Sequence, residues 1–385
     1  MTRSAATRII LYFGFVSLFA DATYEGARSI HGPFLALLGA SATAVGLIAG
    51  TGELIGFGLR LGSGLLADKT RQYWLLTFLG YGVNVVAVPL LAFATNWQTV
   101  AMLVVLERVG KSVRAPARDV MLSKAASEVG AGWGFGLHAA MDQIGAVMGP
   151  LAVAGIYAWR HEYRAAFLWL GLPAIVTMAL LFAAMRAYPK KEVVPLGVPA
   201  GPREYPKTFW IYIAAACLLA IGYADYSLIG YHFLRSHIAS EEQIPLFYAL
   251  AMAVNAVSAP IFGKWYDMRG IEALVAGTLL AAASLPLCFL GGYEAGLAGV
   301  MAWGAGMGAI DSVLRAGITK LISMHKRGVA FGVFNAAYGI AWFVGSLVMG
   351  RLYDGPGAHA LVWFGVVSQI MGAMVFLSFR KRTEA

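Results

Sequence analysis

The residues of this chain that could do chemistry are acidic side chains set inside long apolar runs. They are Asp21, Glu25, Glu53 and Asp142. A charge at the centre of a bilayer costs about 2.5–3.5 kcal/mol on insertion scales, so such a residue needs a partner or a water-filled cavity. Burial penalises an ionised carboxylate and an approaching cation favours it, so a proton can be taken up and released there. We therefore predict that at least one of these four acids exchanges a proton as the protein works.

Cations stand beside these acids at helical spacing. Residues three, four or seven positions apart share one face of a helix. One such stripe is Asp21, Glu25 and Arg28, and another is Glu107, Lys111, Arg114 and Arg118. We predict that Glu107, Arg108 and Lys111 are charge partners of the buried acids, with Asp142 or Glu107 pairing with Arg108 or Lys111. The alternative is a permanently paired ion network that only fixes helix packing.

The elements that must position these residues are membrane-spanning helices. Hydrophobic residues are 59% of the chain and charged residues 13%, against about 45–50% and about 25% for soluble domains. Twelve apolar runs are each long enough to cross roughly 30 Å of hydrocarbon as a helix. They lie near 9–30, 42–66, 73–94, 97–122, 131–157, 165–186, 208–234, 243–266, 272–292, 295–322, 327–352 and 358–379. The predicted fold is an all-α integral membrane protein of twelve transmembrane helices.

An internal repeat predicts two pseudo-symmetric six-helix bundles. The stretch Gly132–Gly149 can be laid over Gly328–Gly345, an offset of 196 residues. Five prolines and four cations between Tyr188 and Lys207 cannot form a helix interior, so this segment is predicted to be a linker. The predicted domains are a bundle at 1–187, a cytoplasmic linker at 188–207 and a bundle at 208–385. In the repeat, Asp142 aligns with Tyr338 and His138 with Phe334, so the two copies differ where a site would differ.

Charge predicts the orientation of the chain. Most lysines and arginines of the loops fall on the side of the N-terminus, which places both termini in the cytoplasm of a multi-pass inner-membrane protein. The net charge of +9 is thereby a signal of topology and does not indicate nucleic-acid binding. The seven histidines show no metal-binding pair at i and i+4, and both cysteines lie in apolar runs. We expect no cofactor, no metal and a monomer.

Three motifs resemble those of a known family of membrane proteins. The loop Gly64-Leu-Leu-Ala-Asp68-Lys-Thr-Arg71 resembles the signature loop of the major facilitator superfamily, with Lys69 and Thr70 departing from the usual Arg and Gly. The segment Gly145-Ala-Val-Met-Gly-Pro150 resembles the fifth-helix motif of the drug–proton antiporters of that superfamily. Arg108 with Lys111 resembles the fourth-helix motif of the same branch, although Lys111 replaces its usual amide.

The signature loop also has a physical reading. A carboxylate at Asp68 can accept backbone N–H groups at the start of a neighbouring helix, and such a contact would hold one access state shut. The Gly-x-x-x-Asp spacing of this loop occurs again in the second half, at Gly263 and Asp267. The predicted gating residues are Gly64, Asp68, Arg71, Gly263 and Asp267.

The function predicted from these features is proton-coupled secondary transport by alternating access. Export of a small amphipathic compound is favoured, and the alternative is a proton-coupled uptake symporter for an anionic metabolite, with arginine and lysine groups binding the anion. The expected partners are a small-molecule substrate, protons and the lipid bilayer. An enzyme is not expected, since phosphate-loop, zinc-protease and serine-hydrolase motifs do not occur. The predicted substrate-binding residues are Tyr24, Arg28, His138, Asp225, Tyr226, Asn255, Asp311, Arg315, Asn335 and Tyr338.

Overall fold

The computed structural model of the protein describes residues 2–188, 205–322 and 327–383. Regular structure in these residues is helical throughout. The helices of the first half are α1 (Arg3–Leu37), α2 (Ala42–Thr70), α3 (Tyr73–Leu90, continued by a 3-10 turn at Leu91–Phe93), α4 (Trp97–Val129), α5 (Ala131–Arg160), α6 (Tyr163–Trp169) and α7 (Gly171–Ala187). Those of the second half are α8 (Lys207–Gly222), α9 (Tyr226–Arg235), α10 (Gln243–Arg269), α11 (Ile271–Leu290), α12 (Tyr293–Leu321), α13 (Arg327–Asp354) and α14 (Ala358–Thr383). Most of the predicted linker, 189–204, lies outside the described residues.

Eleven helical spans of the described chain are long and apolar enough to cross a membrane. Helices α6 and α7 together form one of these spans, and α8 and α9 form another. Helix α4 is as long as its neighbours, but it carries a stripe of charged residues and is less apolar than the eleven spans. With α4 included, each of the twelve predicted runs falls on one helical span. This confirms the predicted all-α membrane fold.

The span made of α8 and α9 is broken at its centre, between Gly222 and Tyr226. The Asp225 carboxylate ends the break by accepting a hydrogen bond from the backbone N–H of Ser227, 2.8 Å away, which caps α9. The indole N–H of Trp303 donates to the carbonyl of Ala224 at 2.9 Å. The amide of Gln369 donates to the carbonyl of Gly222 at 2.7 Å. Backbone groups freed by a break inside a membrane need such partners, and these contacts supply them.

The helices pack into two units. One comprises the described residues of Met1–Ile30 and Gly58–Val198, and the other those of His31–Phe57 and Pro199–Ala385. The end of α1 and the first half of α2 therefore pack with helices that follow the linker in sequence. The division into bundles at 1–187 and 208–385 stays a prediction.

Close packing of α1 against α5 in the first unit depends on glycine. A Cβ built on Gly149 would lie 2.9 Å from the Cα of Ala22, and one built on Gly145 would lie 3.1 Å from the Cβ of Asp21. Both positions therefore exclude any larger residue at this spacing. Small residues of this kind let transmembrane helices approach backbone to backbone.

Candidate functional site

Two carboxylates, that of the buried Asp21 and that of the partly exposed Asp142, face one another across the α1–α5 contact. Asp21 lies about 27 Å along α1 and Asp142 about 17 Å along α5, both far from the helix ends. They are close enough to interact electrostatically. In the part of the chain that the structure describes, no cation lies within 4 Å of Asp21. Because adjacent carboxylates repel when both are ionised, this arrangement favours a bound proton on one of them.

His138 is the nearest partner of Asp142. Its Nδ1 lies 3.4 Å from Asp142 Oδ2, one helical turn away on α5. The other carboxylate oxygen, Oδ1, has no hydrogen-bond partner among the described residues. Asp142 therefore has an acceptor position left for a proton or a water molecule.

Glu25 and Tyr24 of α1 both contact Lys111 of α4. The Lys111 ammonium lies 3.9 Å from a Glu25 carboxylate oxygen. It also lies 3.8 Å from the centroid of the Tyr24 ring, within the range of a cation–π contact. The predicted partner of Lys111 was an acid of α4 or α5, and the structure places the acid on α1.

Glu107 is fully engaged by its neighbours. Its Oε1 accepts a hydrogen bond from the Asn84 amide at 2.7 Å, and its Oε2 lies 3.3 Å from Arg108 Nε. Both oxygens are thus held by groups on α3 and α4. This geometry indicates a structural role in joining the two helices.

Arg114 is the most deeply buried cation of the stripe on α4. Its side chain leaves only 2% of the residue exposed, and its Nε and Nη1 have no hydrogen-bond partner among the described residues. The guanidinium carbon lies 4.0 Å from the centroid of the Tyr81 ring and 5.8 Å from that of Tyr24. It is also an electrostatic neighbour of Asp21. A buried cation stabilised by aromatic faces can pair with a carboxylate that loses its proton nearby.

The second unit holds a separate polar cluster at mid-helix depth. The Asn255 amide donates to Asp311 at 3.4 Å, and Arg315 follows one turn later on α12. The charged neighbours of the Tyr338 hydroxyl are Asp311, Glu53 and Arg315. The structure thus brings four of the predicted substrate-binding residues together with Glu53, which was predicted to handle protons.

A continuous chain of aromatic rings extends from this cluster. It is anchored by Tyr338, whose ring contacts Phe57 and stacks on Phe334, both at 5.4 Å between centroids. From there the contacts pass to Trp342 at 5.8 Å and on to Tyr223 at 5.2 Å. The remaining rings of the chain are Trp303, Tyr226 and Tyr248.

Four other predicted substrate-binding residues take different positions. Asp225 caps α9, and the Tyr226 hydroxyl donates to the carbonyl of Ile244 at 2.6 Å, so both have structural bonds. Arg28 is half-buried on α1, one turn before the helix enters the second unit. Asn335 is half-buried on α13. Their role in binding stays a prediction.

The first half of α2 packs tightly against the end of α13, and Asp354 closes this contact. The Asp354 carboxylate accepts hydrogen bonds from the backbone N–H of Ala42 at 3.0 Å and of Thr43 at 2.7 Å, and from the Thr43 hydroxyl at 2.6 Å. It therefore caps the N-terminus of α2. Along the two helices, a Cβ built on Gly46 would collide with the carbonyl group of Ser346. We call this surface the α2–α13 contact.

The predicted gating residues lie at the opposite end of α2 and on α10. Asp68 accepts a hydrogen bond from the Tyr73 hydroxyl at 3.2 Å. Arg71 takes a left-handed backbone conformation with φ of 55° in the loop to α3. A Cβ on Gly64 or Gly263 would make only ordinary contacts, and Asp267 is exposed. Their gating role stays a prediction.

Sequence reasoning missed Trp342 and Asp354 and gave Arg114 no role of its own. A signal for Asp354 was present, because Gly350-Arg-Leu-Tyr-Asp354 repeats the Gly-x-x-x-Asp spacing of Gly64–Asp68 and Gly263–Asp267. Of the acids in these three copies, Asp354 is the one that the structure shows capping a helix. For Trp342 the signal was its position four residues after Tyr338 on α13. No local pattern distinguishes Arg114 from its charged neighbours.

A family model described as Major Facilitator Superfamily matches residues 13–346 and, separately, 216–385. The chain belongs to this family. An uncharacterized protein of Mycobacterium tuberculosis is 40% identical over 384 residues, which cover 98% of this chain and 94% of that protein. An uncharacterized MFS-type transporter of Methanocaldococcus jannaschii is 23% identical over 377 residues, covering 95% of this chain and 94% of that protein.

The fold agrees with membership of the superfamily. The crystal structure of a bacterial homolog of the human lysosomal transporter Spinster matches with a TM-score of 0.75 at 15% identity, covering 99% of this chain and 98% of that one. As a member of the superfamily, the present chain is a multi-pass membrane transporter of small molecules that works by alternating access. It is not an enzyme.

Proposed function

We propose that this transporter couples export of a small amphipathic compound to the entry of protons. The observation that carries the proposal is the pair formed by Asp21 and Asp142, two carboxylates that are electrostatic neighbours in mid-span. One of them can hold a proton at low cost, because the uncharged form removes the repulsion between the two. Release of that proton recreates two neighbouring like charges in mid-span. The protonated and unprotonated forms therefore favour different helix arrangements.

The cations of α4 provide the other side of the coupling. Lys111 and Arg114 are both electrostatic neighbours of Asp21. Helix movement that brings either cation closer to Asp21 favours the carboxylate and expels the proton, whereas separation favours its return. Access to the two sides of the membrane would alternate as this happens, in the manner of transporters built from repeated bundles.

The α2–α13 contact would close the side opposite the chain termini in this state. It joins the loop between the first two spans to the end of the eleventh, and both lie on that side of an alternating topology. Transport requires that this side open in turn, so the Asp354 cap and the glycine packing would break. Positive charge near the termini favours a cytoplasmic position for them, so the closed side would be the outer face of the inner membrane.

The existing ion pairs of the α4 cations favour export over uptake of an anion. Arg108 and Lys111 already face Glu107 and Glu25 at 3.3 and 3.9 Å. An anionic substrate would have to compete with these carboxylates. The motifs Gly145–Pro150 and Arg108–Lys111 also resemble those of the drug–proton antiporters.

Reconstituted vesicles test the coupling. Compounds that raise the melting temperature of the purified protein would be loaded into vesicles, and their movement would be followed with and without an imposed pH gradient. We expect Asp21→Asn and Asp142→Asn to lose gradient-driven transport but to keep exchange of labelled for unlabelled compound. Glu25→Gln and Glu53→Gln complete the series. Wild-type gradient dependence in all four variants would refute the proposal.

A further inference from the structure

Three buried hydrogen-bond donors of α13 have no acceptor among the described residues: the two aromatic ones, Tyr338 and Trp342, and the hydroxyl of Ser346. The Tyr338 hydroxyl and the Trp342 indole nitrogen are each inaccessible to solvent and without a hydrogen-bond partner among the described residues. The residues themselves are 3% and 4% exposed. Most buried polar atoms in native proteins are bonded, and an unbonded one calls for an explanation such as a ligand.

The rest of the aromatic chain does not share this feature. The Tyr223 hydroxyl donates to the carbonyl of Trp303 at 2.6 Å, and the Tyr226 hydroxyl donates to that of Ile244 at 2.6 Å. The Trp303 indole donates to the carbonyl of Ala224 at 2.9 Å. Among the described residues of the aromatic chain, unsatisfied donors therefore occur only at the end next to the polar cluster of α12.

The charges at that end select against an anion. The charged neighbours of the Tyr338 hydroxyl are two acids, Asp311 and Glu53, and one base, Arg315. Asp311 lies about 27 Å from the start of α12 and about 15 Å from its end, yet it is exposed on the surface of this unit. A charged residue at that depth faces water rather than lipid. Asp311 therefore gives the cluster a side that faces water.

We propose that Tyr338 and Trp342 recognise a flat aromatic compound that is uncharged or singly cationic and carries a hydrogen-bond acceptor. The compound stacks against the rings at this end of the chain and accepts hydrogen bonds from the phenol and the indole. This inference rests on the proposed function, because it names the class of compound that the transporter carries.

Binding to the purified full-length protein tests the inference without a pH gradient. The probes are isoquinoline, a flat ring system with an acceptor nitrogen, naphthalene, which has the same shape without the acceptor, and naphthalene-2-sulfonate, a flat anion. Equilibrium dialysis at pH 8 measures their dissociation constants. Isoquinoline is expected to bind two- to tenfold more tightly than naphthalene, the range that one net hydrogen bond supplies. The sulfonate is expected to bind least well.

Two variants remove the donors one at a time. Tyr338→Phe keeps the shape of the ring, whereas Trp342→Phe also makes the side chain smaller, and each should reduce the preference for isoquinoline over naphthalene. The melting temperature of Tyr338→Phe should stay close to that of the wild type, because its hydroxyl has no hydrogen-bond partner among the described residues, whereas that of Trp342→Phe should fall because the smaller ring leaves a cavity. The matched control is Tyr212→Phe, which removes a buried hydroxyl that donates to the carbonyl of Leu314 at 2.9 Å. It should lower the melting temperature and leave the preference intact.

Three results would overturn the inference. They are equal binding of isoquinoline and naphthalene to the wild type, an unchanged preference in both variants, and tightest binding of the sulfonate. None of them bears on proton coupling, which the vesicle experiment on Asp21 and Asp142 measures separately. A loss of coupling in vesicles would likewise leave the dialysis result standing.

Discussion

The α2–α13 contact should open when a single methyl group is added at Gly46. A Cβ at this position would lie 3.0 Å from the carbonyl carbon of Ser346 and closer still to its oxygen, both of them backbone atoms that cannot turn aside. The helices must move apart to accept it. Overpacking of this kind costs about 1–3 kcal/mol, which corresponds to a shift of about 5- to 150-fold toward a state in which the helices are separate.

Helix propensity has to be separated from this effect. Alanine favours a helix over glycine by about 1 kcal/mol whatever the packing. Gly58→Ala supplies the matched control, because it lies on the same helix and an added Cβ there meets nothing within 4 Å. It should gain helix stability and leave the access equilibrium unchanged.

Distances between spin labels measure the opening. Labels at Leu37 and His359, both exposed, report on the ends of α1 and α14 beside the α2–α13 contact. Alanine replaces Cys217 and Cys288 so that only the introduced cysteines react. Gly46→Ala should raise the population with the longer separation, and Gly58→Ala should match the parent. If Gly46→Ala lowers the melting temperature and the separation stays as in the parent, the contact is permanent packing and the gating argument is wrong.

A milder perturbation at Asp354 checks the same reasoning. Loss of an N-cap side chain costs about 0.5–2 kcal/mol, and Asp354 is exposed, so the low end of that range applies. Asp354→Ala should therefore shift the equilibrium about two- to fivefold toward the open state. A larger shift than that of Gly46→Ala would contradict the assignment of most of the closing energy to packing.

Three further variants separate structural from coupling roles. Glu107→Gln should lower the melting temperature by a few degrees and keep proton-coupled transport, since that carboxylate is held by neighbours on α3 and α4. A folded Glu107→Gln protein that has lost proton coupling would contradict this. Arg114→Met should fold and move the transport optimum to higher pH, because proton release from Asp21 loses a cation that favours it; an unmoved pH profile would remove Arg114 from the mechanism. His138→Gln should alter the pH profile through Asp142, and a profile equal to the wild type would show that the histidine only packs.

Much of the fold could be predicted because its signals are local in sequence. Apolar runs about 20 residues long and the positions of charge give the number and order of the spans, and α4 is predicted in spite of its charged stripe. The break between α8 and α9 was not predicted, and 208–234 was read as one continuous helix. Hydrogen bonds from Trp303 and Gln369 stabilise that break. Both donors lie more than 75 residues along the chain from the carbonyls that they bind, so no window around the break contains the cause.

The candidate site shows the same limit. Helical spacing groups the acids and cations of α1, α4 and α5, but it could not assign partners across helices. Lys111 was expected to pair with Glu107 or Asp142, and it faces Glu25 on another helix. The cap that Asp354 makes on α2 joins residues 311 and 312 positions apart. The packing of the helices determines which residues become partners of this kind. The spacing of residues along one helix gives no information about that packing.

The internal repeat explains why two kinds of chemistry occur at one geometric position. On α5, His138 lies 3.4 Å from Asp142 one turn away. On α13, Phe334 and Tyr338 occupy the aligned positions, and their rings stack at 5.4 Å. The same i, i+4 geometry thus positions an acid with a base in one copy and two aromatic rings in the other. Since a duplicated helix needs its glycines and its length for packing, these side chains are where the copies were free to diverge. If proton exchange and compound recognition are divided in this way, an Asp142→Asn variant should lose coupling and still bind isoquinoline. A Tyr338→Phe variant should keep coupling and show a reduced preference for isoquinoline over naphthalene.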